Sequence, residues 1–357
     1  MSQFVIKVWK TRYEFVSFIR IRILCYIKLG LVLREFYRYY IDMSKKILLS
    51  GVKPTGEPHI GNYFGAMKQF VELQDKFKSY IFIADYHALH SIQTREEMKK
   101  NIISIILDYL AIGIDPKKVT LFKQSDISEH TELAWIFETI TSMPYLMRAH
   151  AFKDAEAKNK EIDVGSFNYP MLMASDILLY DTDLVPVGKD QKQHIEIARD
   201  TALKFNRIFG DTFKLPEEYI IEEVSVVLGT DGRKMSKSYG NTIPLFAEYD
   251  EIKKRVMSIV TDSSEGIPKN VYAIHSLIRP ASELLSLYES KKGKYKELKE
   301  ILVEDLEAFI KPMREKRKSF AKNIPEAMKI LKIGGEEAKK VAHAKMQVVK
   351  EKIGVIF

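Results

Sequence analysis

Cysteine is almost missing from this chain: its 357 residues include one, Cys25. That excludes a disulfide within the chain and any cysteine-rich zinc or iron–sulfur site, and it suits a reducing, cytoplasmic compartment. No glycine-rich dinucleotide fingerprint occurs, which disfavours a nicotinamide cofactor, and no Walker-type phosphate loop occurs either. Internal repeats and low-complexity tracts are absent. Clustered metal ligands are not evident, so no resident metal is expected. What the chain does have is 46% hydrophobic and 29% charged residues, the balance of an ordinary globular protein long enough for two domains. Its net charge of +8 is compatible with an RNA partner.

Residues 1–42 differ from the rest. They hold eight Lys/Arg against three acidic residues and supply +5 of the formal charge, leaving +3 for the remainder. They are rich in Tyr, Phe, Ile and Arg and poor in Ser and Ala. Their uncharged runs, LGLVL among them, are too short to span a bilayer or to form a secretory core. The low serine content argues against an organellar transit peptide. Met43, followed by SKKILLSG, looks like a natural start. The expectation is an upstream extension, from a mis-assigned start codon, that catalysis does not need.

From Lys46 onward β and α patterns alternate. KILLS, SYIFIAD, VTLFKQS and LVPVG read as short buried strands. Between them HIGNYFGAMKQFVELQ, TREEMKKNIISIILDYLAIG, EHTELAWIFETI and NYPMLMASDILLY read as helices, and KDQKQHIEIARDTALKFNRIF follows as another. This predicts an α/β fold with a doubly wound parallel sheet (Rossmann-like) over residues 43–242, with ligands at the strand ends. Residues 243–357 carry helical periodicity and no convincing strand, so an all-helical C-terminal domain is expected.

Two segments carry the chemistry. PTGEPHIGNYFG (Pro54–Gly65) places Thr55, Gly56, Pro58 and Gly61 where a tight turn runs into a helix, whose free N–H groups attract anions. His59 can donate a hydrogen bond to a phosphate as charge builds there. GTDGRKMSKSYGN (Gly229–Asn241) is a glycine-bracketed loop presenting Lys234 and Lys237, with Ser236 and Ser238 as neutral donors. Each alone has a bland reading, a packed histidine or a solvated turn. Together they suit attack of a carboxylate on the α-phosphate of ATP, which needs in-line positioning and charge neutralisation rather than a strong base.

Both segments resemble the HIGH and KMSKS signatures of class I aminoacyl-tRNA synthetases. Asn62 stands where a second histidine is common, as it often does in the tryptophanyl branch. ADYHAL (Ala84–Leu89), NYPMLMASDILLY and PVGKDQKQH (Pro186–His194) extend the resemblance to tryptophanyl-tRNA synthetases from about Lys46 to the C-terminus.

The resemblance implies ATP-dependent activation of L-tryptophan and its transfer to tRNA(Trp), with Mg²⁺ arriving on ATP. It implies a cytoplasmic homodimer, no membrane, and a helical region at 243–357 that reads the anticodon and whose last helix packs back on the catalytic domain. His59, Asn62, Lys234 and Lys237 would be catalytic. Lys53, Thr55, Gly61, Asn62, Gly188, Asp190, Lys234, Met235, Ser236, Lys237 and Ser238 would contact ATP, although Lys53 occupies a place where many members have Gln. Gly51, His87, Tyr169, Met173, Asp176 and Gln191 would surround tryptophan. In that set Asp176 accepts from the indole N–H and would be left unpaired by phenylalanine.

Two alternatives stay open. A tyrosyl-tRNA synthetase shares the fold, both loops and an aspartate at the place of Asp176, but usually has Gln where Met173 stands. A non-catalytic, RNA-binding paralogue would often lack one of His59, Lys234 and Lys237.

Overall fold

The continuous apolar run Tyr80–Ile83 is buried on both sides in a computed structural model of the chain. The structure describes residues 46–149, 152–153, 156, 163–187, 192–220, 226–261 and 266–357. The expectations for residues 1–42, Gly188, Asp190 and Gln191 lie outside them.

Five strands form the sheet: β1 (Ile47–Val52), β2 (Lys78–Ile83), β3 (Val119–Lys123), β4 (Leu184–Val187) and β5 (Glu217–Ile220). All neighbours run parallel in the order β3-β2-β1-β4-β5. The order reverses between β1 and β4, and such a switch point opens a crevice at the carboxyl ends of the strands. β5 is the strand that the sequence pattern does not reveal. Its EEYI has no alternation or apolar run, because it is a short strand that, among the described residues, lies at the sheet edge and pairs with β4.

Helices cover both faces. On one side lie α1 (residues 60–73) and α3 (Arg95–Ile112); α2 (Asp85–Ala88) is a single turn after β2. The other side carries α4 (Glu129–Ile140), α6 (Val164–Leu178) and α7 (Lys192–Phe209), with the short α5 (Met143–Leu146) beside them. α3 ends as the sequence predicts, at Gly113 in the left-handed region with φ +106°. α1 holds a π-helical stretch at Tyr63–Met67, directly after the first signature segment. Interruptions of this kind are frequent at functional sites.

Beyond the second signature the chain is helical: α8 (Tyr249–Met257), α9 (Lys269–His275), α10 (Ala281–Ser290), α11 (Tyr295–Ala321) and α12 (Ile324–Ile353). α12 straddles the β3 edge. Its Ala327 and Leu331 join the core that contains Phe64 and Ile106, whereas Ala338, Ala342 and Met346 join the core that contains Phe137 and Phe205. At the crossing a Cβ on Gly334 would overlap the Leu121 carbonyl, so only glycine lets the helix backbone approach the strand. The helix thereby covers an edge that would otherwise be open to pairing.

Candidate active site

A cavity of about 720 Å³ opens at the switch point. Gly51 and Lys53 from the end of β1, His87 from α2, Met173 and Asp176 from α6, and Val187 from β4 line it. Gly51 is required by packing: a Cβ there would overlap the Phe82 ring. Burial lowers the Lys53 ammonium below the usual lysine range.

The first signature builds a reciprocal cap. His59 is the N-cap of α1; its N–H donates to Asn62 Oδ1 at 3.0 Å, and the Asn62 N–H donates to His59 Nδ1 at 3.3 Å. Because Nδ1 accepts, the ring proton belongs on Nε2, which becomes a neutral donor. Burial and then the nearby Lys237 charge hold the ring's pKa down to about 4. The cap thus ties Asn62 to His59 through both its side chain and its backbone.

The second signature is held by its last residue, Asn241, which is buried. Its amide donates to Asp231 Oδ1 at 2.7 Å and to the Lys234 carbonyl at 3.2 Å, and its Oδ1 accepts from the Ser236 N–H at 2.8 Å. Gly232 and Gly240 adopt positive φ, +80° and +65°, where side chains are disfavoured. Met235 is buried among Ile60 and Ile243 and anchors the loop, while Lys234, Lys237 and Ser238 remain exposed. The Ser236 and Ser238 hydroxyls are 2.9 Å apart.

The two signatures are bonded to each other. Ile60 N–H donates to the Ile243 carbonyl at 3.0 Å and Leu245 N–H to the Pro58 carbonyl at 2.9 Å. Lys237 Nζ donates to the Thr55 carbonyl at 2.8 Å. Desolvation lowers the Lys237 pKa, with Asp108 and Glu57 opposing it. Thr55 itself is exposed, and Gly61 packs under the His59 ring.

Asp176 is buried with 1% exposure, yet it has three protein donors. His87 Nε2 lies 2.8 Å from Oδ2; His130 Nδ1 at 2.6 Å and Gln124 Nε2 at 2.8 Å both address Oδ1. A carboxylate only accepts, so all three donate. Tyr180 donates its hydroxyl to His130 Nε2 at 2.9 Å, which keeps the His130 proton on the side of Asp176. Burial pushes the Asp176 carboxyl up, but His130 and His87 outweigh it and hold the group below its ordinary pKa. The expectation that phenylalanine would leave Asp176 unpaired therefore needs correction. The protein already satisfies most of the carboxylate, and the acceptor position left for a ligand is on Oδ2.

Tyr169 lines the same cavity, its hydroxyl 3.4 Å from the His194 ring nitrogens, and burial pushes its pKa up to about 12. The structure thus gathers Gly51, Lys53, His87, Tyr169, Met173 and Asp176 around one cavity. It brings His59, Asn62, Thr55, Gly61, Met235 and Lys237 together through the two bonded signatures. Gln124, His130 and Tyr180, which hold Asp176, and Asn241, which holds the second signature loop, are not singled out as site residues by the sequence pattern. For His130 a signal existed: it shares the buried stripe of Leu133, Ala134 and Phe137, where a polar side chain must find a partner.

Neutral and cationic donors beside an apolar cavity ending in one carboxylate suit a nucleotide next to an aromatic molecule with a single N–H or O–H. Comparisons with known proteins agree. The family profile of tRNA synthetases class I (W and Y) matches residues 43–343. The tryptophan–tRNA ligase of Fusobacterium nucleatum is 46% identical over 317 residues, covering 86% of this chain and 98% of the relative. The Campylobacter jejuni tryptophanyl-tRNA synthetase solved with ADP and tryptophan is 46% identical and superposes with a TM-score of 0.81, over 86% of this chain and 99% of that one. The Mycoplasma pneumoniae tryptophanyl-tRNA synthetase structure, 29% identical, gives 0.75 over 87% and 98%.

Proposed function

This chain belongs to the class I tRNA synthetases of the tryptophan and tyrosine type, and from that membership we infer that it activates L-tryptophan with ATP and transfers it to tRNA(Trp). The tryptophan carboxylate attacks the α-phosphorus, the bond to the β-phosphate breaks, and pyrophosphate leaves. A ribose hydroxyl of the tRNA then attacks the mixed anhydride and AMP departs. The relatives at 40–46% identity that support this reading carry the tryptophan name, which sets the tyrosine and non-catalytic alternatives aside.

The residue roles are our proposal. His59, as a neutral Nε2–H donor, meets the charge growing on the α-phosphate. Lys237 exchanges the Thr55 carbonyl for the departing pyrophosphate, with Lys234, Ser236 and Ser238 beside it. Thr55, Gly61 and Lys53 border ATP. Asp176 takes the indole N–H on Oδ2, Met173 packs on the ring, and Tyr169 holds the ammonium. Among the described residues no group of three or more His, Cys, Asp or Glu gathers as a cation site. We propose that Mg²⁺ arrives with ATP, where it would neutralise phosphate charge.

We also propose a cytoplasmic homodimer that binds one tRNA across both subunits, with residues 243–357 reading the anticodon. No helix among the described residues is long and apolar enough to cross a membrane. The observation that carries the reading is the pairing of the two bonded signatures with a cavity ending in Asp176. Pyrophosphate exchange into ATP, with tryptophan and tyrosine in parallel, tests it. Exchange with tryptophan alone is expected; exchange with tyrosine alone would overturn the pocket assignment.

A further inference from the structure

His130 is a buried titratable residue to which the reaction above gives no part. It sits on α4 with 0% exposure, beside the Phe82 ring of β2 and the Phe122 ring of β3, whose centres lie 6.0 and 6.3 Å from its own. Both ring nitrogens and the carbonyl are engaged. Nδ1 donates to Asp176 Oδ1 at 2.6 Å, Nε2 accepts from the Tyr180 hydroxyl at 2.9 Å, and the carbonyl accepts from Ser175 Oγ at 2.7 Å. Ser175 and Asp176 are neighbours on α6, so α4 grips one point of α6 through side chain and main chain together. Gln124, directly after β3, takes the second lone pair of Oδ1. Oδ1 is thereby fully occupied, and the acceptor position left for a ligand is on Oδ2, beside His87.

A carboxyl buried to this degree would keep its proton at neutral pH if it had no donors. Its ionisation matters because an indole N–H can only donate. A carboxylate meets that N–H as a charge-assisted acceptor, whereas a protonated carboxyl is a weaker one. The titratable groups near it come from several elements: His87 from α2, His130 and Glu129 from α4, Tyr180 after α6, and Tyr80 of β2, whose ring centre is 5.1 Å from that of Tyr180. Lys53 and Tyr169 line the same cavity. Of these, His87 and His130 bond the carboxylate directly. His87 shares its oxygen with the ligand, so His130 is the titratable donor that holds the charge without approaching the ligand's position. Tyr180 strengthens it, because a hydroxyl donated to Nε2 polarises the ring and makes Nδ1–H a better donor.

We propose that His130, locked by Tyr180, is a positioning residue that keeps Asp176 an acceptor-only carboxylate and thereby sets selection for a side chain bearing an N–H. This role rests on the reading of Asp176 as the indole acceptor made above.

Tryptophan and its benzothiophene isostere, with sulfur in place of the N–H, differ in that donor. The ratio of their kcat/KM values therefore cancels the titrations that the two reactions share. Pyrophosphate exchange by the full chain measures this ratio from pH 6 to 8.5, with thermal melts alongside, for the unsubstituted protein, His130→Leu, His130→Asn and Tyr180→Phe. The unsubstituted protein holds Asp176 below its ordinary pKa, so its ratio should favour tryptophan and stay within about threefold over the range. In His130→Leu the carboxyl loses a donor and protonates at higher pH. The ratio should then fall by about tenfold from pH 8.5 to 6, the scale of one hydrogen bond to a charged group. Asparagine places an amide nitrogen where Nδ1 stands, so His130→Asn should restore the flat profile. Tyr180→Phe should lower the ratio at pH 6 by about threefold, as expected for a weakened donor. A packing defect would lower both kcat/KM values together at every pH, so a flat ratio in His130→Leu overturns the proposal. If His130→Leu does not melt cooperatively, Tyr180→Phe decides alone, and a ratio as flat as that of the unsubstituted protein overturns it. Infrared difference titration of the Asp176 carboxylate band, assigned with Asp176→Asn, reads the same effect without turnover. Protonation should move to higher pH in His130→Leu and not in His130→Asn. If the unsubstituted protein exchanges with no amino acid, the functional reading fails, and the infrared shift or its absence still decides whether His130 holds the carboxylate.

Discussion

His59 carries two properties that follow from one local arrangement. Its backbone and ring both bond to Asn62, so the tautomer is set by the cap, and burial keeps the ring neutral at working pH. The folded pKa of about 4 lies below the ordinary 6.5. The stability that this adds is complete above about pH 6.5 and is lost as pH falls through 4, because the unfolded chain takes up the proton first. Melting temperatures measured from pH 8 to 4 should therefore fall less steeply for His59→Asn than for the unsubstituted protein; parallel curves would refute the burial argument. For Lys237→Ala the expected loss is about 10²–10³ in exchange rate, the usual scale for removing a transition-state donor. Tryptophan affinity should stay within about twofold, since Lys237 does not line the cavity that ends in Asp176. Equal losses in both would refute that division of labour.

Helix α12 shows how a single element joins both halves of the core. The sequence marks it as helical and amphipathic, but the two adjacent glycines, Gly334 and Gly335, look alike in sequence. The structure separates them. A Cβ at Gly334 would overlap the Leu121 backbone, whereas one at Gly335 would meet Asp126 Oδ2 at an ordinary 3.4 Å. Gly334→Val should cost about 3 kcal/mol, in the upper range for overpacking, and lower the melting temperature by several degrees. Gly335→Ala should be neutral or stabilising by up to about 1 kcal/mol, because alanine favours the helix. Thermal melts of the two variants side by side check this; equal destabilisation would mean that the β3 contact is not what makes glycine necessary. Strand β5 escaped the sequence reading for the opposite reason. Its two glutamates serve a solvated edge, so no hydrophobic pattern was there to detect.

At the scale of the whole molecule, several large apolar side chains stay exposed on α4 and at α5. Trp135 on α4 is 68% exposed, and Met143 and Met147 at α5 are 66% and 45% exposed. α5 is tied to α7 by the Tyr145 hydroxyl bond to Asp200. Large apolar side chains left in water cost solvation, and the proposed homodimer would cover them. Trp135→Glu should shift the light-scattering mass toward half its value; an unchanged mass would place the subunit contact elsewhere. The family match begins at residue 43. Removal of residues 1–42 should accordingly leave the exchange rate within about twofold, and a large fall in a protein that still melts cooperatively would show that the extension contributes.

The sequence by itself determined the family and the α/β alternation, and it singled out His59, Lys234, Lys237 and Asp176 as candidates. These are legible because each belongs to a short contiguous motif, or to a periodicity set by the backbone within one element. Tertiary structure alone decided how they are held. His130 and Gln124 reach Asp176 across 46 and 52 residues. Nothing local marks such partners, since a buried charge specifies that it needs a donor but not which distant residue the packing will bring to it.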